Sequence, residues 1–258
     1  ENIAKEFDRK YASAVSNGSA ALDLALQSLN LSDEDEVIIP SFTIISALAA
    51  VVRSGGKPVF CDVDHKTWNM TIDNVKGLIT NKTKALLLVH TYGLPADASE
   101  IEKLCLENNI EVIEDAAEAH GQYYENRKCG SFGKISTMSF YANKHVTSGE
   151  GGMILTNDED VYKKINQMKN LDFSQERFKH KNLYWNYRLG GLQAALGNSQ
   201  LKNMKQTISQ KIEQGNYYNK LFKDYLDILQ IPELSYKGSA NHYWVYGIVL
   251  NKQDVRDK

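Results

Sequence analysis

The chain has 258 residues, 42% of them hydrophobic and 24% charged, enough for one large core or for one large domain with part of a second, and unlike any disordered or fibrous chain. Its 30 basic and 32 acidic side chains leave a formal charge of −2, so no electrostatic hold on nucleic acid or on an anionic membrane is expected. Cys61, Cys105 and Cys129 stand far apart without a CxxC pair, which suits neither a disulfide framework nor a zinc site and fits a reducing compartment, the cytoplasm.

From residue 12 to residue 155, short β-branched runs alternate with amphipathic helical patterns, as βα units around a mostly parallel, doubly covered sheet do; the fold class is α/β. In chain order the patterns predict a strand over 13–15, a helix over 19–29, a strand over 37–40, a helix over 44–54 and a strand over 59–63. A helix over 73–79, a strand over 85–90, a helix over 100–108 and a strand over 112–115 come next. Strands over 137–141 and 152–156 and a helix over 158–168 complete this part. A long helical run over 192–225, with apolar residues such as Leu196, Leu201, Met204, Ile208 and Ile212 near helical spacing, is interrupted only by Gly197 and Gly215. Strands over 227–232 and 243–250, separated by a Gly/Ser/Asn loop, then open a small second α/β domain. The expected division is a large domain over 1–203 and, over 204–258, the connecting helix and the start of the small domain. Opening on Glu1 and closing on the charged run Gln253-Asp254-Val255-Arg256-Asp257-Lys258, the chain reads as an incomplete copy of a longer protein. The apolar stretch around 44–52 is too short to span a bilayer, and no signal segment begins the chain.

Ligands of open α/β sheets bind beyond the carboxyl ends of the strands, and four polar positions stand there. Ser16-Asn17-Gly18-Ser19-Ala20 is a small-residue turn into a helix, whose N–H groups and positive dipole end suit a phosphate; a plain N-cap by Asn17 or Ser19 explains the same residues. Glu114-Asp115-Ala116-Ala117-Glu118 follows an apolar strand, where buried acids need a cation or hydrogen bonds. Asp115 thus calls for a partner such as a protonated ring nitrogen, while Glu118 also reads as a first-turn acid on a helix dipole. Lys144 follows the strand-like Ser139-Phe140-Tyr141, and a desolvated lysine loses its proton more easily and forms Schiff bases with carbonyl compounds. Asp115 and Lys144 end two successive strands joined by a hairpin-like turn through 126–130, so both side chains can face one cleft. A carboxylate for a pyridine nitrogen, a lysine for an imine and a helix N-terminus for a phosphate are together what pyridoxal 5′-phosphate requires. The fourth position, Asn186-Tyr187-Arg188-Leu189, reads equally as a solvated loop, as does the basic stretch of Arg177, Lys179, Lys181 and Arg188.

With segments 16–26, 40–43, 89–93, 114–121, 139–144, 149–153 and 186–197 in matching order, nearly the whole chain resembles the DegT/DnrJ/EryC1/StrS sugar aminotransferases, fold type I pyridoxal phosphate enzymes of the aspartate aminotransferase kind. Asn143-Lys144, Gly149-Glu150-Gly151-Gly152-Met153 and Glu118 look most like the members that aminate C4 of a 4-keto-6-deoxy sugar nucleotide. The resemblance implies that Lys144 carries the cofactor and shuttles the proton, that Asp115 pairs with the pyridine nitrogen, and that Gly18, Ser19, Ala20 and Ser139 bind the phosphate. It further implies that Asn186 reaches the phosphate of a neighbouring subunit in a homodimer and that His90 lies near the ring, although a histidine capping a strand end explains His90 equally; Arg188, with Arg177, Lys179 and Lys181, is a candidate to meet the substrate diphosphate. The implied reaction moves an amino group from L-glutamate to a GDP-, UDP- or dTDP-linked keto sugar, for surface polysaccharide or a glycosylated product.

Three departures from the family pattern stand out. Ile44 stands where an aromatic residue often stacks on the cofactor ring, and Glu118 where a glutamine is common beside the cofactor's 3-oxygen, so a proton must be shared there or the Glu118 pKa must rise. Gly190-Gly191 replace a Thr-Asn pair and supply no side-chain acceptor. The alternatives are a sugar 3-aminotransferase, a sugar 3-dehydratase, whose members look to have histidine in place of the lysine, and a regulatory homologue that binds the cofactor without turnover.

Overall fold

The computed structural model describes residues 1–173, 176 and 178–251; Arg177 of the basic stretch and the terminal charged run lie outside them. In chain order come α1 (Asn2–Glu6), β1 (Tyr11–Val15), α2 (Gly18–Gln27), β2 (Glu36–Pro40), α3 (Ile45–Arg53), β3 (Lys57–Cys61), α4 (Ile72–Lys76), β4 (Thr83–Val89), α5 (Ala98–Glu107) and β5 (Glu111–Asp115). A short hairpin, β6 (Tyr123–Tyr124) and β7 (Arg127–Lys128), precedes β8 (Ile135–Ser139), β9 (Gly152–Thr156) and α6 (Glu159–Met168). Then follow α7 (Gly191–Leu201), α8 (Met204–Phe222), a 3-10 turn (Lys223–Tyr225) and four two-residue strands, β10 (Leu229–Gln230), β11 (Ser235–Tyr236), β12 (Ser239–Ala240) and β13 (Val249–Leu250).

One sheet in the order β1-β9-β8-β5-β4-β2-β3 carries the fold. β3, β2, β4, β5 and β8 pair in parallel, while β9 runs antiparallel to both β8 and β1. Period-two alternation splits the apolar side chains between two faces. Val37, Ile39, Leu87, Val89 and Ile113 pack with α2 and α3 in one core; Ile38, Leu86, Leu88 and Val112 pack with Ile101 and Cys105 of α5 in the other. A third cluster joins Phe7, Met138, Phe140 and Leu155 to Met204 and Ile208 at the start of α8. All three cysteines are buried and unpaired. Among the described residues no helix is long and apolar enough to cross a membrane.

Four features correct the sequence reading. α1 has only five residues, too few to show a period. The long helical run breaks at Lys202–Asn203 rather than at either glycine, because asparagine favours caps and turns over helix interiors. The strands expected over 227–232 and 243–250 contract to the β10–β13 pair, since Tyr243 takes φ 46°, outside the range of a strand. Finally, β5 and β8 are parallel neighbours, so the β6–β7 hairpin sits within a crossover and does not join them directly.

The face of β5 opposite α2 buries a polar hub. Glu114 is 0% exposed and accepts from Gly130 N–H at 2.6 Å, Phe132 N–H at 2.8 Å and Ser136 Oγ at 2.8 Å, with His90 Nε2 at 2.9 Å. Arg9 closes the hub, donating to the carbonyls of Gly130 and Gly133 at 3.0 Å each and to Ser136 Oγ at 2.5 Å. Burial pushes the Glu114 carboxyl up, but the His90 bond and charge, the Gly130 N–H and Arg9 together hold it below the ordinary carboxylate range. Glu114→Ala strands all these donors in a dry site, and the expected loss is about 3–5 kcal/mol. A urea titration of the variant against the parent reads it as a lowered midpoint, and an unchanged midpoint would show that the hub contributes nothing.

Candidate active site

Asp115, the last residue of β5, points to the α2 side of the sheet, next to Val89 at the end of β4 and Ser139 at the end of β8. These three ends, the N-terminus of α2 and the loop that carries Lys144 enclose a cavity of about 460 Å³. Gly18, Ser19, Ile44, Asp115, Glu118, Ser139 and Lys144 all line it, so seven of the residues singled out in the sequence meet in one place.

The α2 end of the cavity is shaped for a compact anion. Asn17 caps the helix, its Oδ1 accepting from Ala20 N–H at 2.8 Å, which leaves the first-turn N–H groups of Gly18 and Ser19 without an intrahelical partner. Ser19 Oγ lies 2.7 Å from Ser46 Oγ, and Ser139 Oγ accepts from Tyr141 N–H at 3.3 Å. Close approach demands two glycines here: a Cβ on Gly18 would come within 2.7 Å of Ser139 Cβ, and one on Gly152 within 2.4 Å of the Asn17 carbonyl oxygen. Gly190 caps α7 without a side-chain bond, as its lack of an acceptor requires.

Charge gathers at the other end. Lys144 Nζ is 3.8 Å from Glu118 Oε1, with the two side chains 9% and 16% exposed. Burial lowers the Lys144 ammonium below the ordinary lysine range, with Glu118 and Asp115 pulling it back. Burial raises the Asp115 carboxyl, opposed by the Ala117 N–H, at 3.0 Å, and by Lys144. Glu118 is pushed up to about 7 by burial, against the attraction of Lys144 and the Tyr92 N–H that donates to its Oε2 at 2.9 Å. The Glu118 carboxyl is therefore part protonated near neutrality, in the direction its sequence position called for.

Four expected site residues lie elsewhere. His90 is 0% exposed, with Nε2 on Glu114 and Nδ1 accepting from Ala96 N–H at 3.1 Å; alternation puts it on the face of Leu88, away from the cavity. Ala20 is buried in the helix, and its N–H is already taken by Asn17. Asn186 and Arg188 are exposed outside the cavity of their own chain, Arg188 donating to Asn170 Oδ1 at 2.5 Å. The sequence reading missed Trp244, which lines the cavity from 100 residues further along the chain; no local pattern marks it.

Residues 1–258 match the DegT/DnrJ/EryC1/StrS aminotransferase family. The chain belongs to that family. It is 39% identical over 257 residues to the GDP-perosamine synthase of Escherichia coli O157:H7, covering 99% of this chain and 70% of the relative. The aminotransferase of Psychrobacter cryohalolentis is similar in structure, with TM-score 0.87 and 36% identity over 94% of this chain and 66% of that one. So is the E. coli GDP-4-keto-6-deoxy-D-mannose-3-dehydratase with bound hydrated PLP, with TM-score 0.88 and 27% identity over 98% of this chain and 70% of that one. The chain thus spans about two thirds of the length of these proteins. The α/β, fold type I architecture expected from the sequence is that of this aminotransferase family.

Folding this family member brings a stability cost that depends on pH. The folded protein holds the Glu118 proton to about 7, whereas in the unfolded chain the side chain releases it near 4.5. The cost is therefore absent below 4.5, grows as pH rises from 4.5 to about 7, and is complete above it. Glu118→Gln stays neutral and abolishes that loss. Between about pH 5 and about pH 8 the variant should gain on the order of 2 kcal/mol on its parent, measured by urea unfolding without cofactor; parallel pH profiles would contradict this.

Proposed function

We propose that the protein is a pyridoxal phosphate-dependent aminotransferase that moves an amino group from L-glutamate to a 4-keto-6-deoxy sugar nucleotide, GDP-linked as in the perosamine synthase relatives, and that it works as a cytoplasmic homodimer. The observation that carries this reading is the burial of the Lys144 amine with Asp115 and Glu118 in one cavity at the N-terminus of α2.

The residues fit the cofactor. A cradle that a Cβ on Gly18 would fill, backed by the Ser19 and Ser139 hydroxyls, suits its phosphate. Asp115 is the carboxylate for a ring N–H, and Ile44 offers an apolar cover. When bound, pyridoxal phosphate supplies the electron sink through which an amino group passes between an amino acid and a ketone. Lys144 is the amine that would hold the cofactor through its Nζ and the base that would move the substrate's proton. The depressed basicity that burial gives this amine suits both tasks. Glu118, near its midpoint at neutral pH, holds a proton to share with the cofactor's hydroxyl oxygen. Asn186 and Arg188, exposed outside their own cavity, are assigned to the site of a second copy. Lys144 also speaks against the dehydratase reading, whose members look to have histidine at that place.

The full-length protein loaded with pyridoxal phosphate should lose its cofactor absorption band on adding L-glutamate, and borohydride reduction followed by peptide mapping should place the cofactor on Lys144. Lys144→Ala should lower turnover of GDP-4-keto-6-deoxymannose by more than about 10³-fold. An unchanged spectrum, or a label on another lysine, overturns the reading.

A further inference from the structure

The indole of Trp244 lies face-on to Lys144, whose Nζ is 3.4 Å from the ring centroid. Trp244 Nε1 donates to the carbonyl of Asn143, the residue before Lys144, at 3.0 Å. Ring and amine are therefore tied to the same short stretch of backbone. Tyr92 packs on Trp244 with centroids 5.9 Å apart, and the N–H of that tyrosine holds Glu118. The segment bearing Trp244 is pinned to the loop after β4, His242 N–H donating to the Gly93 carbonyl at 3.2 Å. Gln122 Nε2 bridges the carbonyls of Gly93 and Ala240 at 2.6 and 2.7 Å.

The charged and titratable groups around the Lys144 ammonium are Glu118 and Asp115, which attract it, and His145 and His120, which burial keeps neutral. Glu118 loses its charge as pH falls through about 7, so its attraction varies across the working range. The negative face of an aromatic ring does not titrate and attracts a cation at any pH. We propose that Trp244 is a positioning residue for Lys144, whose indole face holds the free ammonium aimed into the cavity and favours its protonated form. The catalytic meaning of that hold rests on the aminotransferase reading; the hold itself is a property of the chain alone.

Removing the ring has two opposed effects. Water admitted by a small residue stabilises the ammonium, whereas loss of the ring face destabilises it, so Trp244→Ala decides nothing. Trp244→Leu and Trp244→Phe both keep an apolar cover, and only the second keeps a π face. Competitive labelling with an amine-reactive reagent across pH, on full-length protein stripped of cofactor and again loaded in its amine form, reads the Lys144 amine directly. Lys103, 78% exposed, serves as internal reference in the same sample. Trp244→Leu should lower the Lys144 midpoint and, at a fixed pH below it, raise labelling about fivefold relative to Lys103. Trp244→Phe should stay within about twofold of the parent. Equal behaviour of the two variants would show that Trp244 only shields the site and would overturn the proposal. Failure of borohydride mapping to find the cofactor on Lys144 would sink the functional reading while leaving this measurement interpretable.

Discussion

Two acids in sequence at the end of one buried strand are the constraint around which this fold is arranged. Glu114 is sealed from solvent and Asp115 is 4% exposed at the cavity wall, and a strand sends them to opposite faces of the sheet. On one face the protein surrounds Glu114 with His90, Ser136, two backbone N–H groups and, behind them, Arg9, drawing on the chain from residue 9 to residue 136. That hub fixes the crossover from β5 to β8, because its acceptor is filled by the loop carrying Gly130 and Phe132. On the other face Asp115 is left with one backbone N–H and a lysine beyond hydrogen-bond range. The strand end is thereby rigid on one side and chemically unsatisfied on the other, the state a cofactor site needs before its ligand arrives.

What could be read in the chain follows from the range over which each feature is determined. β9 over Gly152–Thr156 is uniformly buried and shows as a continuous apolar run, and α6 carries its cap, Asp158, in sequence. The turn into α2 is also local, since Asn17, Gly18 and Ser19 belong to one helix start. For His90, parity decides between the two readings, ring neighbour and strand-end cap: Leu86, Leu88 and His90 share one parity, and Leu86 and Leu88 face α5. A polar residue at a strand end belongs to the ligand side only when its parity is that of the ligand side. Ala20 failed for a different reason, because the Asn17 cap that marks the helix start consumes the very N–H in question.

Trp244 could not be read at all. Its contact with Lys144 depends on the way 240–244 is pinned to Gly93 and Gln122, on the positive φ of Tyr92 and Tyr243, and on the ring of Tyr243 lying over Gly215 of α8. None of these leaves a periodic trace. An aromatic residue in an apolar segment looks like core in sequence, and only tertiary placement turns it into a wall of the cavity.

The charge balance of the cavity bears on how a complete site is built. Among the described residues that line it, Lys144 is the one cation, set against Asp115, Glu118 and Glu150. A bound phosphate adds nearly two further negative charges at the end away from Lys144. The protonated ring nitrogen facing Asp115 would offset one charge and the α2 N-terminus about half of another, and the serine hydroxyls offset none. Near neutrality the partial protonation of Glu118 removes some of the excess, yet the sum remains negative. The excess is eased by position: Glu150 is exposed at the cavity rim, where water screens its charge, so the desolvated balance that matters is that of Asp115, Glu118 and Lys144.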